Sequence, residues 1–100
     1  MKIDQHYVNA NIQLVPIDEP DKAMPLIDEA IGLLRQSGLP TEVGPFGTSI
    51  EGPYERVMLL VQQLNQYMLQ HSRHDWLLNL QLHLHPTKAV RMHSKTSKHR

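Results

Sequence analysis

The chain has no cysteine. A disulfide framework, a thiolate nucleophile and a cysteine-based zinc site are therefore excluded, and a reducing compartment is compatible with the composition. Aromatic residues make up only 5% of the 100 residues (Tyr7, Phe46, Tyr54, Tyr67 and Trp76), so the core must be mainly aliphatic. No apolar run approaches the roughly 20 residues that span a bilayer, and the first residues lack the basic-then-apolar pattern of a secretory signal. A cytoplasmic protein with no membrane partner is expected. Net charge is missing too: ten basic residues balance ten acidic ones. The balance hides a division. Residues 1–86 hold all ten acidic and five basic residues, a net charge near −5, whereas residues 87–100 hold five basic residues and no acid. One domain over 1–86 with a flexible basic tail over 87–100 is expected. The tail offers no aromatic on which a base could stack, which argues against nucleic acid as a partner.

What is present is a run of clear periodicities. Residues 7–15 alternate, with Val8, Ala10, Ile12 and Leu14 on one side and Asn9, Asn11 and Gln13 on the other. This is a strand with one buried and one polar face. Met24, Ile27, Ile31 and Leu34 recur at helical spacing, which predicts a helix over 21–37 capped by Asp21 and stopped by Ser37-Gly38. Pro25 fits that helix only in its first turn. Residues 39–45 are extended, Phe46-Gly47 is a turn, and 48–51 form a third strand. From Gly52-Pro53 to about Gln70, Tyr54, Val57, Met58, Val61, Leu64, Asn65 and Met68 mark a second helix, with Asn65 the one polar member of the stripe. Residues 76–85 alternate again, Trp76 and the even-numbered leucines against Asn79, Gln81, His83 and His85. The order β-α-β-β-α-β predicts an α+β, ferredoxin-like sandwich: a four-stranded antiparallel sheet with both helices on one face.

The other sheet face would then carry Asn9, Asn11, Gln13, Ser49, Glu51, Asn79, Gln81 and His83. Such a face is either plain solvent surface or a surface for a polar heteroaromatic ligand or a wet subunit interface. Amides and hydroxyls donate and accept, and short ones lose little entropy on ordering. No catalytic constellation stands out. Thr48-Ser49-Ile50-Glu51 is not a nucleophile elbow, and the glycines of 44–52 are not followed by Lys-Ser/Thr as in a phosphate loop. His83 and His85 share a strand face but no third ligand stands beside them, so no metal is expected.

Gly44-Pro45-Phe46-Gly47-Thr48-Ser49-Ile50-Glu51-Gly52 resembles the central G-P-M-G-T-x-I-E-G signature of the YkoF-like, thiamine-binding protein family, with Phe46 in place of the methionine. Leu14-Val15-Pro16-Ile17, Ser37-Gly38-Leu39 and Glu55-x-Val57-Met58 resemble its flanking motifs, and the likeness covers about residues 8–70. The resemblance implies a non-catalytic binder of thiamine or its hydroxymethylpyrimidine part, without a separate cofactor, working as a homodimer or homotetramer. It implies Thr48 and Glu51 as leading contacts with Gly47 and Ser49 lining; Asn11 is added by strand adjacency. The alternative is a structural or regulatory oligomer that binds nothing small. Glu51 has a second reading as a cap of the helix that follows. Thr48 raises a difficulty of parity. In a regular strand it points with Ile50, away from Glu51. The two meet one ligand only across a bulge at Gly47, or by serving different subunits.

Overall fold

A computed structural model describes residues 2–92. After a 3-10 turn (Ile3–Gln5), the chain runs through β1 (Tyr7–Pro16), α1 (Pro20–Arg35), β2 (Thr41–Gly44), β3 (Gly47–Pro53), α2 (Tyr54–His71) and β4 (Trp76–His83). The sheet is antiparallel throughout, in the order β2-β3-β1-β4. With both helices packed on one face, this is the expected ferredoxin-like α+β sandwich.

Strand parity explains the core. Val8, Ala10 and Ile12 are fully buried, and Ile50 joins them from β3. Val57, Val61, Leu64 and Met68 of α2 close over them, as their helical spacing predicts. On α1 the predicted Ile27 and Leu34 are buried and Ile31 packs against the core, with Ala23 and Ala30 buried beside them; of the predicted stripe Met24 alone lies on the surface. The helix also starts earlier than predicted. Glu19, not Asp21, is the N-cap residue, at φ 44°, and Pro20 opens the first turn. Pro25 therefore sits in the second turn, where its missing N–H leaves the Asp21 carbonyl without its helical donor. At the other end, Ser37 Oγ donates to the Leu34 carbonyl and Gly38 takes φ 83°, the expected stop.

Asn65, the polar exception in the α2 stripe, accepts the Trp76 indole N–H at 3.3 Å and so ties α2 to the start of β4. β4 ends at His83, so His83 and His85 do not share a strand face; His85 Nδ1 instead accepts the Thr87 N–H at 3.1 Å. Residues 87–92 turn back onto the sheet. Val90 is buried and its N–H donates to the Tyr7 carbonyl at 3.1 Å. The rest of the basic tail, 93–100, lies outside the described residues.

Candidate functional site

The hairpin between β2 and β3 is a two-residue turn, Pro45-Phe46, with Gly44 opposite Gly47. Gly47 has φ 145°, and a Cβ there would run into the Asn11 amide oxygen and stand 3.1 Å from the Ile12 carbonyl oxygen. The missing side chain is what lets Asn11 reach across β3, where its amide nitrogen donates to Ser49 Oγ at 3.3 Å. Gly52 does the same on the opposite sheet face, where a Cβ would stand 2.9 Å from the Leu39 side chain that covers it.

Register assigns each predicted residue to a face. Asn11 lies opposite Ser49, Asn9 opposite Glu51, and Ile12 opposite Thr48, in an unbroken ladder. There is no bulge at Gly47. Asn11, Ser49 and Gly47 come together on the open face, with Glu51 on that face further along β3. Thr48 falls on the helix side, 2% exposed, among core residues. It lines neither hollow of the open face, and the parity difficulty resolves into two separate faces.

The open face holds a cleft of about 380 Å³. Its floor is Asn9, Asn11, Ser49 and Gln81; the hairpin (Gly44 to Gly47) and Glu42 form one wall, and Met92 closes one end. Phe46, 83% exposed, stands at the hairpin tip. Past Gln81 the floor continues into a hollow of about 440 Å³ beside His83, toward the edge strand β4.

Glu51 does not line this cleft. It is 8% exposed, and its Oε2 accepts the Met92 N–H at 2.7 Å. The Tyr7 phenol hydrogen-bonds the same carboxylate, and the Arg91 guanidinium stacks 4.1 Å above the Tyr7 ring. Burial, then the negative charge of Glu51, push the Tyr7 hydroxyl pKa up, and Arg91 opposes them. Nor does Glu51 cap α2, whose N-cap residue Pro53 is followed by a helix start with no side-chain cap. Its side-chain partners are the Met92 N–H of the strap 90–92 and the Tyr7 phenol of β1, contacts that neither reading made from sequence included.

Glu42 and Met92 were missed at the level of sequence. β2 is four residues long with one apolar side chain, so alternation cannot orient it. A two-residue turn with Gly44 opposite Gly47 would have placed Glu42 across from Ser49. No comparable signal announces Met92.

Comparison with known proteins agrees with this architecture. A family profile described as thiamine-binding protein matches residues 10–100. A Thermotoga maritima protein assigned provisionally to thiamine biosynthesis or salvage is 31% identical, with a TM-score of 0.82 over 94% of this chain and 99% of its own. A domain of unknown function from Bacillus cereus (23% identity, TM-score 0.84, 100% and 96% covered) shares the fold. So does a hypothetical protein from Methanocaldococcus jannascii (16%, TM-score 0.81, 93% and 95%). Among curated protein sequences none matches the chain. The chain belongs to the thiamine-binding protein family.

Proposed function

We propose that this member of the thiamine-binding family binds thiamine, or a related aminopyrimidine, in the open-face cleft and does no chemistry on it. The observation that carries the reading is the Asn11–Ser49 pair laid across Gly47 at the bottom of a cleft of about 380 Å³. That size lies within the roughly 300–1,000 Å³ of small-molecule sites. Asn9, Asn11, Ser49 and Gln81 supply amides and a hydroxyl, groups able to meet both the amine donor and the ring-nitrogen acceptor of an aminopyrimidine. Phe46 presents an aromatic face at the rim. The domain body, with ten acidic and five basic residues over 1–86, attracts the thiazolium cation. The edge strands β2 and β4 leave ladder groups to be covered, which suits the homodimer or homotetramer implied by the family resemblance.

Isothermal calorimetry is the suitable test, because Trp76 lies opposite Pro16, beyond the end of the cleft, and reports poorly on it. The wild-type protein should release heat with thiamine, and Asn11→Ala should weaken affinity about tenfold while changing stability by about 1 kcal/mol or less. No binding at millimolar thiamine by a folded protein would sink the reading in favour of a structural oligomer.

A further inference from the structure

We propose that the two carboxylates of the open face divide their roles: Glu42 selects a cationic ligand in the cleft, and Glu51 holds the C-terminal strap that closes the cleft's end. The inference rests on the cleft being a site for an organic cation.

Glu51 is already engaged. Its carboxylate is buried, accepts the Met92 N–H at 2.7 Å and bonds the Tyr7 phenol, while Arg91 lies over the Tyr7 ring and supplies the local positive charge. To meet a ligand it would have to give up a charge-assisted hydrogen bond and displace Met92, which stands at the cleft's end. Glu42 is in the opposite situation. It is exposed, lines the cleft, lies directly across from Ser49, and has no ion-pair partner among the described residues. Its charge stands next to the neutral Asn11–Ser49 floor. A cation settling there partly dries the carboxylate and strengthens their attraction. A neutral molecule of the same shape gains nothing from it.

The test titrates thiamine calorimetrically into the full chain and its variants, and follows amide hydrogen exchange of Val90 and Met92 without ligand. Glu42→Gln should lower thiamine affinity about tenfold or more and leave both amides exchanging as in the wild type. Glu51→Gln should speed Met92 exchange about tenfold or more and keep affinity within about threefold of the wild type. Met92→Pro removes the same hydrogen bond from the strap side and should free Val90 likewise, so the strap's dependence on Glu51 can be read even if Glu51→Gln folds poorly. Unchanged affinity in Glu42→Gln overturns the proposal, as does loss of binding in Glu51→Gln with Met92 still protected. A wild-type protein that binds no thiamine removes the cleft reading and the role of Glu42 together. A wild type that binds equally well as Glu42→Gln removes only the division of roles.

Discussion

Ile50 and Glu51 are consecutive on β3 and both are buried, but they are buried by different parts of the chain. Ile50 is enclosed by β1 and the two helices, apolar side chains meeting apolar side chains. Glu51, one residue on and on the other face, is enclosed by Tyr7 and by a strap from the far C-terminal side. A buried aliphatic needs only a close fit, whereas a buried carboxylate costs several kcal/mol unless donors accompany it. The Met92 N–H of the strap and the Tyr7 phenol are those donors. The sandwich core is thus complete within β1 to β4, whereas the open face is finished by residues 90–92, and the cleft lies where the finish stops.

The largest effect expected tests the first half of that contrast. Ile50→Ala removes a fully buried side chain at the centre of the core and should cost about 3–4 kcal/mol in urea unfolding. That is a large part of the roughly 5–15 kcal/mol that holds a small domain together. A loss below about 1 kcal/mol would mean that the helix layer does not close this face as described.

Gly47 lies beneath Asn11 on the open face, and its substitution is next in size. An alanine there has φ 145° to tolerate and its methyl meets the Asn11 side chain and the Ile12 carbonyl. Gly47→Ala should cost about 2 kcal/mol and reduce thiamine binding, because Asn11 must move. Gly44→Ala is the control across the same turn: its Cβ would make only a 3.4 Å contact with the Gly47 carbonyl oxygen, and about 0.5 kcal/mol or less is expected. Equal costs at the two glycines would remove the special fit between Gly47 and Asn11.

The contrast between the faces also decides what could be read from residue order. Asn9, Asn11, Gln81 and His83 were placed on one face by alternation alone, since β1 and β4 are long strands whose apolar halves are plain. The separation of Thr48 from Glu51 followed from the same period, and the unbroken register between β1 and β3 bears it out. Glu42 escaped because β2 is too short to show a period. The strap escaped for another reason: Val90 is the one buried side chain of residues 87–92, and Ala89, Val90 and Met92, interrupted by Lys88 and Arg91, are too few to show a period. Its contacts include a backbone hydrogen bond to the Tyr7 carbonyl, a ring stack and the Met92 N–H, and backbone donors are identical in every sequence. Tertiary contacts of that sort become visible only with the chain folded.

The smallest effect expected belongs to Tyr7, at the seam between the sheet and the strap. Burial and the neighbouring Glu51 charge favour its neutral phenol, so its pKa in the folded protein lies above the ordinary value of about 10. The unfolded chain then releases this proton first as pH rises. The stabilisation is fully present below pH of about 10 and is lost as pH climbs from there through the folded pKa. Tyr67 is shifted in the same direction, chiefly by its hydrogen bond to Glu29 on the helical layer, so two tyrosines on opposite sides of the sheet share the alkaline loss. Tyr7→Phe should flatten the decline in stability above pH 10 and remove one late phenolate step from the ultraviolet titration. It should also speed Met92 amide exchange, because the phenol helps hold the Glu51 carboxylate in place. Tyr67→Phe should change the alkaline slope without touching Met92. If both variants leave Met92 exchange alike, the strap does not depend on Tyr7, and Glu51 and Arg91 must hold it by themselves.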